Sequence, residues 1–160
     1  MKRIFIFCII IMSSYSQAFA AGQFPQMKAF GYEIGQKTPA SGLNAVNEEE
    51  PVNPHTSNDF YFKPESNELN INFEEYHLFT STNGEKVAAV FASKEYNNAQ
   101  ECQNAIKKAK PVLKNRYKIP VSEAPDLVNF NPDTSLTSVS LSCAENFLYY
   151  NVVDHRLTMK

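Results

Sequence analysis

Residues 97–118, NNAQECQNAIKKAKPVLKNRYK, are the one stretch of the chain with a sustained helical period, and they carry a cysteine. Small or apolar side chains at Ala99, Cys102, Ala105, Ile106, Ala109, Leu113 and Tyr117 recur at steps of three and four. That spacing lines one face of a helix. Glu101, Asn104, Lys107, Lys108, Lys114, Asn115 and Lys118 fill the other face, as in a helix laid on a core. Asn98 followed by Glu101 makes a variant of the capping box. Pro111 interrupts the pattern at a cost of roughly 3 kcal/mol inside a helix. Either the helix kinks there, or it stops near Ala109 and a second begins at Pro111. The apolar face continues in register through Leu113 and Tyr117, which favours one kinked helix.

Cys143 ends a second patterned run, residues 137–143, in which Val139, Leu141 and Cys143 alternate with serines. Period two marks a half-buried strand with the cysteine pointing inward. Cys102 points inward from the helix, so a helix crossing that strand brings the sulfurs together, and a Cys102–Cys143 disulfide is predicted. Closing a loop of about 40 residues destabilises the unfolded chain by about 4 kcal/mol.

Residues 1–20 read as a secretory signal peptide: Lys2 and Arg3, an apolar middle from residue 4 to 12, and Ala18-Phe19-Ala20 as the cleavage site. The apolar run is too short to span a bilayer. Cleavage after Ala20 leaves about 140 residues, the usual size of one domain, with two cysteines in a compartment that permits oxidation. The expected location is a periplasm or the medium outside the cell. Losing Lys2 and Arg3 lowers the basic count from 15 to 13 against 17 acidic residues, a formal charge of about −4. That balance argues against nucleic-acid binding.

Residues 29–35 read as a strand with Phe30, Tyr32 and Ile34 on one face. Residues 36–58 turn polar, with three prolines and the Glu48-Glu49-Glu50 triplet, and read as a long loop. Residues 59–63 form a strand with Phe60 and Phe62 opposite Tyr61, and residues 70–73 add an edge piece. Asn83-Gly84 between two apolar runs predicts a two-residue type I′ hairpin pairing Tyr76 with Phe91, Leu78 with Ala89 and Thr80 with Val87. Small side chains at Ala88, Ala89 and Ala92 leave room for the helix. Residues 119–133 hold three prolines and read as irregular, and a second hairpin turns through Ala144-Glu145-Asn146. The sum is an α+β fold in order β-ββ-α-ββ: an antiparallel sheet of four to six strands with one long helix on one face, in two layers.

Chemistry is sparse. Bridged cysteines cannot supply a thiolate nucleophile. No G-x-S-x-G, S-x-x-K, C-x-x-C or H-x-x-x-H frame is present, and the three histidines, His55, His77 and His155, stand far apart in sequence. No metal or cofactor is expected. Lys107, Lys108 and Lys114 crowd the back half of the helix as a weak candidate binding patch, although lysines also suit a helix C-terminus for reasons of dipole alone. Aromatic side chains at Phe60, Tyr61, Phe62, Tyr76, Phe79, Tyr149 and Tyr150 are candidates to stack sugars or anchor a partner. The reading is a small exported, non-enzymatic binding protein that occupies a protein or envelope component. Its alternatives are an inhibitor or immunity-type protein against an envelope hydrolase, a small hydrolase built around His77 or His155, and a self-associating surface component.

Overall fold

The computed structural model describes residues 27–45, 59–118, 120–131 and 136–158. The expected signal peptide, His55, the acidic triplet and residues 46–58 of the polar segment lie outside them. The elements run β1 (Lys28–Ala29), β2 (Tyr32–Glu33), β3 (Leu43–Ala45), β4 (Asp59–Phe62), β5 (Glu75–Thr80), β6 (Val87–Glu95), α1 (Ala99–Tyr117), β7 (Ser122–Ala124), β8 (Leu127–Phe130), β9 (Thr137–Ala144), β10 (Phe147–Asp154) and α2 (His155–Thr158). The fold is α+β. One antiparallel sheet of eight strands, ordered β3-β4-β5-β6-β10-β9-β8-β7, carries α1 on its inner face, and β1 and β2 form a separate small ribbon.

The helix follows its periodicity. Asn98 accepts a hydrogen bond from the Glu101 backbone N–H at 3.0 Å, closing the first turn. Glu101 does not complete the box: its carboxylate accepts instead from the side-chain amides of Asn97 and Asn98. The helix runs through Pro111 as one element, burying Cys102, Ala105, Ile106, Ala109, Leu113 and Tyr117 while Ala99 stays exposed. It lies over β8, β9 and β10, not over the alanines of β6. The Cys102 and Cys143 Cα atoms stand 6.1 Å apart and the sulfurs are bonded. The disulfide joins helix to sheet, as the two inward-pointing patterns required.

The rest of the inner face is closed by the β1-β2 ribbon and the irregular segment after β4, where Leu69, Ile71 and Phe73 are buried. Phe30 is the centre of this half, with ring centroids 5.5, 5.0 and 5.6 Å from Phe73, Tyr76 and Tyr150, all edge-on. A strand through residues 29–35 is thus a correction. Phe30 and Gly31 both take positive φ, 53° and 103°, and the chain reverses there, pairing Ala29 with Tyr32. Gly31 is required twice over, because a Cβ would also stand 2.8 Å from the Glu65 Cβ. In residues 70–73 Ile71 and Phe73 are buried while Asn70 and Asn72 are exposed, and none of the four joins the sheet, so the expected edge piece is absent among the described residues.

Four to six strands proved too few for two reasons. Residues 119–133 are not irregular: β7 and β8 pair across Pro125-Asp126, with Ala124 opposite Leu127. Pro125 sits in the turn and Pro120 precedes β7, so neither interrupts a ladder, and Pro132 lies outside the described residues. The polar segment also contributes β3, which pairs Leu43 with Phe62.

The hairpin at Asn83-Gly84 forms, but with different geometry. Gly84 takes φ 72° and Asn83 does not take positive φ. Asn83 instead accepts hydrogen bonds from the Ser81 hydroxyl and the Glu85 N–H, and the Ser81 N–H donates to the Lys86 carbonyl, giving a four-residue loop. Thr80 pairs with Val87 as expected, but Phe79 pairs with Ala89, so Ala88 is the extra residue of a bulge. Beyond it every partner moves by one: Leu78 opposes Val90 and Tyr76 opposes Ala92. The shift turns Val90 and Ala92 to the core and sends Phe91 to the outer face beside His77. In the second hairpin Ala144 pairs with Phe147, leaving a two-residue turn with Glu145 at φ 57°.

Candidate functional site: the outer face of the sheet

The basic patch is divided by the fold. Lys107 and Lys108 are exposed, but Lys114 lies 2.7 Å from the Glu123 carboxylate on β7, which Lys110 also meets at 3.1 Å. Hydrogen bonds from Lys114 and Lys110 hold the Glu123 carboxyl below its ordinary range. Lys114 is a strap between helix and edge strand. Lys108 reaches the rim of a cleft of about 590 Å³ between α1, the end of β6 and the 69–72 segment. There Lys94 donates to the Asn72 carbonyl at 3.0 Å and sits over the Tyr96 ring.

The two described histidines are both on or beside the outer face. His77 Nδ1 meets the two Asp59 oxygens at 3.1 and 3.2 Å, and its ring lies 4.4 Å from that of Tyr61. His155 Nε2 meets the Ser138 Oγ at 3.1 Å. Asp154, next in the chain, is engaged elsewhere. Burial would raise its carboxyl, but the bidentate contact with Arg156 prevails and holds it low. Among the described residues no three His, Cys, Asp or Glu side chains converge on a point where a metal could be held.

Strand order and register decide what that face presents. Tyr61, His77, Phe91, Asn151, Ser140 and Asn129 are successive cross-strand partners from β4 to β8. They form one row across the sheet, with side chains on the side away from α1. A neighbouring row runs Glu75, Ser93, Tyr149, Ser142 and Leu127. The result is an aromatic half and a hydroxyl-amide half. Phe91 lies 5.7 Å from Tyr149, which lies 6.2 Å from Phe147, and His77 stacks with Phe79 at 6.2 Å. Tyr61 is the most open ring, 41% exposed. Apart from α2 at one corner, no described helix or strand crosses this face. Tyr61, Phe79 and Tyr149 were candidates from sequence. Phe91 and Phe147 were missed, and only alternation along their own strands hinted at them. Phe60, Phe62, Tyr76 and Tyr150 belong to the inner face and its core.

A second partly buried carboxylate, besides Asp154, lies on the inner side. Glu68, with only a tenth of its side chain exposed, pairs with Arg116 at 3.4 Å. Burial raises its carboxyl above the ordinary range even though Arg116 opposes the shift.

Among the described residues no helix is long and apolar enough to cross a membrane. Comparison of the chain with protein-family models, with curated proteins and with solved structures found no match in any of the three.

Proposed function

We propose that this chain is a small exported binding protein without catalytic activity, one that acts by occupying a protein or envelope component through the outer face of its sheet. The observation that carries the reading is the alignment of Tyr61, His77, Phe91, Tyr149 and Phe147 on a face that no described element covers apart from α2 at a corner. Tyr61, Phe91, Tyr149 and Phe147 are at least partly exposed and His77 packs buried among them, and such an array suits a partner-anchoring surface, since rigid rings bury large area at little entropic cost. An inhibitor or immunity-type protein is one concrete form of the proposal. The helix lysines are secondary to it, because Lys114 is already neutralised.

The test is capture of envelope components by the mature protein with two surfaces altered separately. Tyr61→Ala with Tyr149→Ala should abolish capture of a defined component, and Lys107→Glu with Lys108→Glu should leave it unchanged. The opposite pattern removes the outer face from the proposal.

A second reading, a small hydrolase, is favoured by the 3.1 Å contact between the Ser138 hydroxyl and His155 Nε2. A triad also needs a carboxylate on the far nitrogen, and Asp154 is spent on Arg156. Covalent labelling of Ser138 by a fluorophosphonate, lost in His155→Ala, would establish it; an unlabelled protein retires it.

A further inference from the structure

We infer that the ligand of the outer face is an uncharged, hydroxyl-rich polysaccharide chain. The inference rests on the proposed use of that face and specifies its partner.

Charge narrows the choice first. On β4, β5, β6, β10, β9 and β8 no described lysine or arginine occupies an outward position: Lys94 of β6 alternates to the inner side, where Asn72 holds it. The outward charged groups are acidic. Asp59 is committed to His77 and Glu95 to Asn146, while Glu75, which accepts from Ser93 and stands 4.0 Å from His77, is 61% exposed along its side chain. These strand positions offer no cation to a sulfated, phosphorylated or uronic-acid polymer; cations adjoin them at Lys63 just past β4 and at Arg156 on α2, and Arg156 is paired with Asp154.

Hydrogen-bonding character narrows it further. Beside the rings lie the half-buried Ser140, Ser142 and Asn151, neutral groups that donate and accept, while Ser93 is buried, the Asn129 amide oxygen is enclosed and Ser138 is held by His155. Asn151 donates to Ser140 at 3.3 Å and Ser93 to Glu75 at 3.3 Å, so the groups are positioned by one another and keep unused capacity. Serine and asparagine facing outward on central strands are poor choices for a dry protein interface, whose core excludes unpaired polar groups. They suit a ligand that carries hydroxyls along its length. The ring faces supply the complementary half, because an aromatic π-cloud is negative and attracts the polarised C–H groups of a sugar ring. Ring and neutral polar group are adjacent along the same rows: Phe91 is the cross-strand partner of the Asn151 amide, and Tyr149 that of the Ser142 hydroxyl. An extended saccharide laid across the strands would thus meet stacking and hydrogen-bonding positions in turn.

Affinity electrophoresis of the mature protein tests this, through gels containing a soluble mixed-linkage β-glucan, a mannan, a glycol-chitin or, as the anionic comparison, polygalacturonate. Migration should slow in at least one neutral polymer and not in polygalacturonate. Tyr149→Ala and Asn151→Ala, each shown by its thermal melt to be folded, should weaken that retardation at least tenfold. Retardation unaffected by either variant, or seen in polygalacturonate alone, overturns the inference. No retardation in any neutral gel overturns it too, yet leaves the outer face in place as a protein-docking surface if the Tyr61→Ala, Tyr149→Ala variant still loses its captured component.

Discussion

Replacing Cys102 and Cys143 together by alanine should cost about 4 kcal/mol, almost all of it acting on the unfolded chain. The bridge closes a loop with a sequence separation of 41. The chain-entropy relation for a loop of that length gives roughly 13 cal/mol/K, or about 4 kcal/mol at 25 °C. Loss of native packing adds little to this, since each substitution removes only the sulfur and Cys143 is partly exposed, although Cys102 is fully buried. For a domain of this size, each kcal/mol moves the melting temperature by roughly 3–5 °C, so the midpoint should fall by roughly 12–20 °C. Calorimetry of the double variant, with urea unfolding alongside, reads both quantities. The urea slope should rise, because an unbridged unfolded chain exposes more surface. A midpoint within about 3 °C of the parent, with an unchanged slope, would refute the reasoning and mean that residues 102–143 stay mutually constrained without the bond.

Two further perturbations follow from the inner face. Glu68 has its carboxyl pushed up by burial, so the folded state holds a proton that the unfolded state has released. Stability should therefore decline as pH rises from about 4.3 through that window. Glu123 and Asp154, both held low, contribute the opposite trend on the acid side, where stability is lost as pH falls. Glu68→Gln should remove the decline and leave the acid-side loss, as read by urea midpoints across pH; an unaltered decline would place its origin elsewhere. Phe30→Ala should destabilise by about 3–5 kcal/mol, because it empties the contact between Phe73, Tyr76 and Tyr150. A loss under about 1 kcal/mol in chemical denaturation would show that the ribbon, not the ring, closes that half of the core.

What the sequence made legible was local. The face of α1, the inward side of β9 and hence the disulfide each follow from a period within one segment, and each stands as read. The bulge at Ala88 was not legible, since an unbroken alternation and a bulged one share the same letters around Val87 to Ala92. The β7-β8 hairpin was hidden by counting prolines without asking where each would fall. Val128 and Phe130 alternating with Leu127 and Asn129 were the signal that it existed.

The outer face was invisible for a deeper reason. Phe91 and Asn151 become neighbours because β6 and β10 pair across the intervening helix and three strands. One local device helps set that pairing: Asn146, in the β9-β10 turn, accepts from the Tyr96 N–H and donates to the Tyr96 carbonyl and to Glu95. It thereby pins the start of β10 to the end of β6. Once that end is pinned, antiparallel pairing carries the register from Phe147–Glu95 up to Val153–Ala89, and Phe91 meets Asn151 as a consequence. The surface proposed to bind is thus specified partly by a turn residue that does not lie on it.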